Sequence, residues 1–219
     1  MRYLGLLGIV AALAPCSAWP GELRGEARLA GAVPSRPDLA VTKDRPACGE
    51  AVADESLLVS GGRLANVVVV VAGAPAAAPT RIAVDQRRCR FVPHVQVAPR
   101  GSTLELVNSD RVLHNVHGWL GLRTRFDVPM PEVGARVPVA LDRAGTVELR
   151  CDVHGWMSAY VAVVEGPAAV TGKDGAFALA GLPPGTYRVT AWHERLGTRS
   201  AEVTVPDEGA AEVVFTFGS

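Results

Sequence analysis

The chain has 219 residues, 48% of them apolar and only 5% aromatic, and its 22 Lys and Arg balance 22 Asp and Glu. Zero net charge argues against nucleic acid or an anionic membrane surface as partner, because both are held by a basic face. Abundant Gly, Pro and Val favour many short strands and turns over long helices.

In chain order, the first text is MRYLGLLGIVAALAPCSAWPG. Arg2 precedes an apolar run from Leu4 to Leu13 that is too short to span a bilayer, and small residues lead to a cleavage point near Ala18. This pattern predicts a secretory signal over residues 1–18 and a periplasmic or secreted protein. No later segment is long and apolar enough to cross a membrane. Export makes the cysteines informative. Cys16 leaves with the signal, and if Cys151 binds metal, Cys48 and Cys89 remain for an oxidising compartment to pair.

Residues 22–78 read as β structure with loops. GEARLAG alternates, SRPDLAVTKDRPACGE is loop-like, and NVVVVVAG from Asn66 to Gly73 is a continuous apolar strand expected to be buried on both faces. APAAAP then reads as a linker. Seven strand-length segments follow: TRIAVDQ, FVPHVQV, STLELVN, VLHNVHGW, ARVPVALD, GTVELRC and SAYVAVVE. Their density predicts an all-β sandwich or barrel. APRG, between HVQV and STLELV, is expected to turn a hairpin that sets Pro93 and His94 beside Val107 and Asn108. Beyond Gly166, turns at Lys173-Asp174-Gly175 and Pro183-Pro184-Gly185 separate alternating strands that carry Phe177 and Leu179, then Tyr187, Val189 and Ala191.

The chemistry concentrates in ELRCDVHGWMSAYV, where Cys151, His154 and Met157 fall at three-residue steps on one short loop. A copper ion that shuttles one electron is suited by a thiolate, two imidazoles and a weak axial thioether. His114 is the natural second imidazole, and Asn115 beside it can bond across to the cysteine loop. Competing readings are less well served. Structural zinc generally takes more thiolates and rarely methionine. A binuclear copper centre needs a second loop cysteine, and a trinuclear centre needs eight histidines where the chain has five. A Cys–His nucleophile lacks an orienting acid or an oxyanion motif, so no catalytic residue is assigned.

LVNSDRVLHNVHGW followed by GTVELRCDVHGWMSAYVAVVE resembles the cupredoxins, and among them the amicyanin-like type 1 blue copper domains. The resemblance covers about Thr80 to Glu165. It implies a Greek-key sandwich over 81–165 with one type 1 copper on His114, Cys151, His154 and Met157. It also implies that His154 lies near the surface as the electron exit and that His117 is not a ligand. The chain departs from the family in Gly155-Trp156, where Pro-Phe is usual, and in Arg150 directly before the thiolate. A redox protein, cytochrome or dehydrogenase-like, is the implied partner. Trp119 and Trp156 are candidates for an apolar collar on which it docks, or for ordinary loop packing. His94 is a candidate auxiliary contact at the copper end, or a strand-edge histidine. His193 is expected to bond within the C-terminal region or at an interface.

TGKDGAFALAGLPPGTYRVTAWH resembles the second half of the carboxypeptidase regulatory-like, or prealbumin-like, β-sandwich. The first half of such a domain ends in a Val-rich strand, to which LANVVVVVAG is similar. Residues 22–78 and 167–219 are therefore expected to build one small sandwich with the copper domain inserted between them, the rival being three units in series. A 53-residue fragment alone would be marginal as a core. Three functions remain open: an electron carrier, a copper-delivery protein, or a structural β module with a vestigial site.

Overall fold

The computed structural model describes residues 21–218. The expected signal and Cys16 lie outside the described residues. Among the described residues the fold is all-β, with a single helical turn, Arg45–Cys48. Among the described residues no helix is long and apolar enough to cross a membrane.

The strands from Arg81 to Val164 form two sheets. A four-stranded sheet runs in the order Arg136–Leu141, Ser102–Asn108, Arg81–Gln86, Phe91–Val92. A five-stranded sheet runs Arg123–Met130, His114–Leu120, Gly145–Arg150, Ser158–Val164, Val95–Pro99. Alternating residues such as Leu104, Leu106, Val147, Leu149, Val161 and Val163 meet in one core, as a period of two requires. The segment expected as the single strand FVPHVQV is divided at Pro93. Phe91–Val92 stays with the first sheet and Val95–Pro99 runs parallel to Ser158–Val164 in the second. The expected hairpin at APRG is therefore not formed. Arg100 and Gly101 carry the chain across the core from one sheet to the other, so Pro93 and His94 are not paired with Val107 and Asn108. One strand, Arg123–Met130, was not expected from its proline and charge content. It lies at the sheet edge, where a residue without an N–H, here Pro129, is tolerated.

Leu39–Ala40 and Ala51–Val52 pair with each other, and the other strands form a second pair of sheets from the two ends of the chain. Gly21–Leu29 runs antiparallel to Ala176–Leu182 and parallel to Ala210–Phe217. Val68–Ala72 lies between Ala168–Val170 and Gly185–His193, with Gly197–Val205 beyond. Phe177, Leu179, Val189 and Ala191 point into the shared core as their alternation predicts. Tyr187 ties this corner by donating its hydroxyl to the Pro183 carbonyl at 2.8 Å.

Two features join the sheet pairs. The valine run faces both ways: Val67, Val69 and Val71 fill the second core, while Val68 packs with Val95, Ala162 and Val164 of the first pair. The chain then leaves Val164 through Gly166, whose backbone sits so close to the Val71 carbonyl that no Cβ would fit.

Candidate metal centre

His114 opens a strand and Cys151 follows the strand antiparallel to it. The register that pairs His117 with Arg150 therefore brings both residues to one end of the sheet. The loop 151–157 then turns tightly, with the Met157 N–H bonded to the His154 carbonyl at 2.9 Å. The result is a buried triad. Cys151 Sγ lies 3.9 Å from His114 Nδ1 and 3.7 Å from His154 Nδ1, and the two Nδ1 atoms stand 3.0 Å apart. Met157 is buried in the same core cluster as Cys151.

Each imidazole is held from behind. His114 Nε2 is bonded to Asp110 Oδ2 at 3.0 Å, and His154 Nε2 to Asp44 Oδ2 at 2.9 Å. A carboxylate accepts, so both Nε2 atoms carry a proton, and both Nδ1 atoms face the sulfur. Burial alone would lower the His114 pKa, but Asp110 and the Cys151 sulfur outweigh it and hold it up at about 9. For Cys151, burial raises the pKa. His114 and the backbone N–H groups of Asn115, His154 and Val153 act the other way and leave it below the ordinary thiol value. His154 is lowered, chiefly by burial, with Asp44 opposing.

The structure corrects several expectations. His154 is not at the surface: it is fully buried, because the loop bearing Asp44 lies over it. Trp119 and Trp156 consequently form no collar around an exposed imidazole. Trp156 packs on His154 with ring centres 5.0 Å apart and donates to the Cys89 carbonyl, whereas Trp119 stacks on His117 at 4.2 Å. The Asn115 side chain does not reach the cysteine loop. It donates to Asp127, and it is the Asn115 main-chain N–H that serves the sulfur. His94 gives neither nitrogen to the site. Nδ1 donates to the Ser158 carbonyl at 3.0 Å and Nε2 pairs with Glu194 at 2.5 Å. The register reading that placed it beside Asn108 assumed the hairpin that is not there. Arg150 turns outward to Glu148 and leaves the sulfur alone. His193 is buried beside Phe217, with Nδ1 accepting the Arg195 N–H. His117 pairs with Asp152 and Thr124.

Cys48 and Cys89 form a disulfide across 41 residues, and Cys151 is a free buried thiol. Sequence reasoning missed Asp44 and Asp110. Asp110 could have been suspected from its i, i+4 spacing to His114. Asp44, 110 residues from His154, left no local signal.

The family profile of the carboxypeptidase regulatory-like domain matches residues 144–218. Its first part falls on Gly145–Arg150 and Ser158–Val164, which the structure places in the other sheet pair. No curated protein matches the chain in sequence. Among solved structures, a variant of amicyanin is 21% identical with a TM-score of 0.35, covering 44% of this chain and 98% of that one. A purple cupredoxin from Nitrosopumilus maritimus is 22% identical with a TM-score of 0.29, covering 34% and 81%. A Cu-containing nitrite reductase from Thermus scotoductus SA-01 is 24% identical with a TM-score of 0.35, covering 44% of this chain; the overlap spans only 25% of the reductase. These overlaps are partial, and the functional argument rests on the donor geometry.

Proposed function

We propose that the protein is an exported type 1 copper protein that carries single electrons, with His114, Cys151 and His154 as ligands and Met157 as axial donor. The convergence of two Nδ1 atoms on one sulfur carries this reading. Nitrogens about 2.0–2.1 Å and a sulfur about 2.3 Å from a common metal stand roughly 3.3–3.8 Å apart at tetrahedral to trigonal angles. The separations of 3.0, 3.7 and 3.9 Å are close to that requirement. One thiolate, two imidazoles and a buried thioether form the donor set of an electron-transfer copper site, and bound copper would supply the one-electron couple.

The chain's own residues do the rest. Asp44 and Asp110 fix the tautomers, and three backbone N–H groups stabilise the thiolate. His114 and the loop 151–157 are held by three neighbouring strands of one sheet. Burial also favours a carrier over a delivery protein. Handing metal to a partner requires a donor that the partner can reach, and His114, Cys151 and His154 are all closed to solvent. The domain division belongs to the same proposal: residues 81–165 form the copper domain, inserted between 22–78 and 167–219. The pairing of Gly21–Leu29 with strands beyond Gly175 supports it. The partner is a redox protein, and the site of action is the periplasm or outside the cell.

Titration of the purified protein with Cu(II) should give one equivalent of bound copper and an intense blue or green band that reductant bleaches reversibly. Cys151→Ser should abolish the colour. Colourless binding, or no binding, overturns the proposal.

A further inference from the structure

We propose that the loop 41–50 is a fixed cap over the metal centre, in which Asp44 positions His154 and closes its imidazole edge to solvent and small ligands. The inference rests on reading His114, Cys151 and His154 as the ligands. It turns a segment outside the sheet that carries the donors into part of the site, and it moves the electron exit away from the His154 edge.

The geometry of the loop supports a built device. Leu39–Ala40 and Ala51–Val52 pair antiparallel and pinch the loop at its base. Val41, Cys48 and Val52 are buried in the same core as Cys151 and Met157, so the loop is anchored and not merely laid across the surface. At its crown Asp44 takes a left-handed conformation, φ 53° and ψ 35°. Only Gly, Asn and Asp adopt this conformation readily. Its carbonyl accepts the N–H groups of Ala47 and Cys48, which fixes the turn and aims the carboxylate at His154.

The cap is also tied to the other imidazole. Cys48 is bridged to Cys89, and the Cys89 N–H donates to Asp110 Oδ2 at 2.8 Å, the same oxygen that holds His114 Nε2. The Cys89 carbonyl accepts from Trp156, which packs on His154. One disulfide thus joins the supports of both imidazoles and of the ligand loop. Trp156, half-buried and in contact with His154, is the neighbour of that imidazole that still reaches solvent.

Two variants test this without straining the backbone, since glycine and asparagine both accept the left-handed conformation: Asp44→Gly and Asp44→Asn. In the metal-free protein, carbethoxylation by diethyl pyrocarbonate, located by mass spectrometry, should spare His154 in the parent and modify it at least about tenfold faster in Asp44→Gly. In the copper-loaded protein, cyanide should extract the metal about 10–100-fold faster from Asp44→Gly, in line with the usual effect of losing a carboxylate behind a ligand imidazole. Azide should perturb its spectrum but not the parent's. Asp44→Asn, which keeps an acceptor without the charge, should fall between. Parent-like labelling, extraction and azide response in Asp44→Gly would overturn the cap. If the parent fails to take up copper with thiolate colour, the electron-carrier reading falls instead, and labelling of the metal-free protein still decides the cap.

Discussion

Each of the two buried imidazoles gives one nitrogen to a carboxylate and turns the other toward the sulfur. The proposed fourth donor is Met157, buried in the same core as Cys151. A long thioether bond donates weakly, and its removal withdraws electron density that Cu(II) needs more than Cu(I) does. Met157→Leu conserves volume in a buried position, so it should cost less than about 1.5 kcal/mol of stability. It should keep the copper and raise the reduction potential, as read by spectroelectrochemical titration. An unchanged potential would remove Met157 from the ligand set. At this scale the meeting of His114, Cys151 and His154 was legible, because Cys, His and Met on one loop restrict the chemistry before any fold is known. The carboxylates behind the imidazoles were not legible. A single acidic residue in a loop-like text carries no mark of what it will face.

The elements between residues 39 and 92 show how local text can be right and its placement wrong. FVPHVQV has strand composition and does form strands, but Pro93 cannot donate to a ladder, and the chain changes sheets there. APRG looks like a hairpin because a two-residue hairpin turn and a sheet-to-sheet crossing use the same turn residues. SRPDLAVTKDRPACGE reads as loop and is loop apart from the short strand Leu39–Ala40 and the helical turn Arg45–Cys48, yet it becomes the cover of the site once the disulfide pins it. The bridge itself was legible from the cysteine count. Replacing Cys48 and Cys89 together by alanine should lower unfolding free energy by roughly 3–4 kcal/mol on the chain-entropy model for a loop of this length. Denaturant titration would measure it as a lower midpoint with little change in slope. A loss under about 1 kcal/mol would mean that packing of Val41 and Val52 alone holds the cap.

Across the whole molecule, the two sheet pairs meet through the valine strand and through the buried pair His94–Glu194. A strand that is apolar at every position was legible as buried on both faces, and its two faces belong to two different cores. The charged contact could not be read from sequence, since His94 and Glu194 lie 100 residues apart. Both His94 nitrogens donate, one to the Ser158 carbonyl and one to Glu194, so the ring is protonated in the folded state. Burial works against that charge, but Glu194 overcomes it and raises the His94 pKa above 6.5. The stability gained from a raised histidine is fully present below the unfolded value of 6.5 and is lost as pH rises through the folded value. Alkaline conditions should therefore loosen the junction between the sheet pairs. Glu194→Gln leaves His94 buried without its counter-charge, which should cost about 2–3 kcal/mol below pH 6.5. The deficit should shrink as pH rises, because the parent loses the pair's contribution while the variant has none to lose. Thermal unfolding of parent and variant across this range would read the difference directly. A deficit that stays constant with pH would mean that Glu194 acts by its packing and not by its charge.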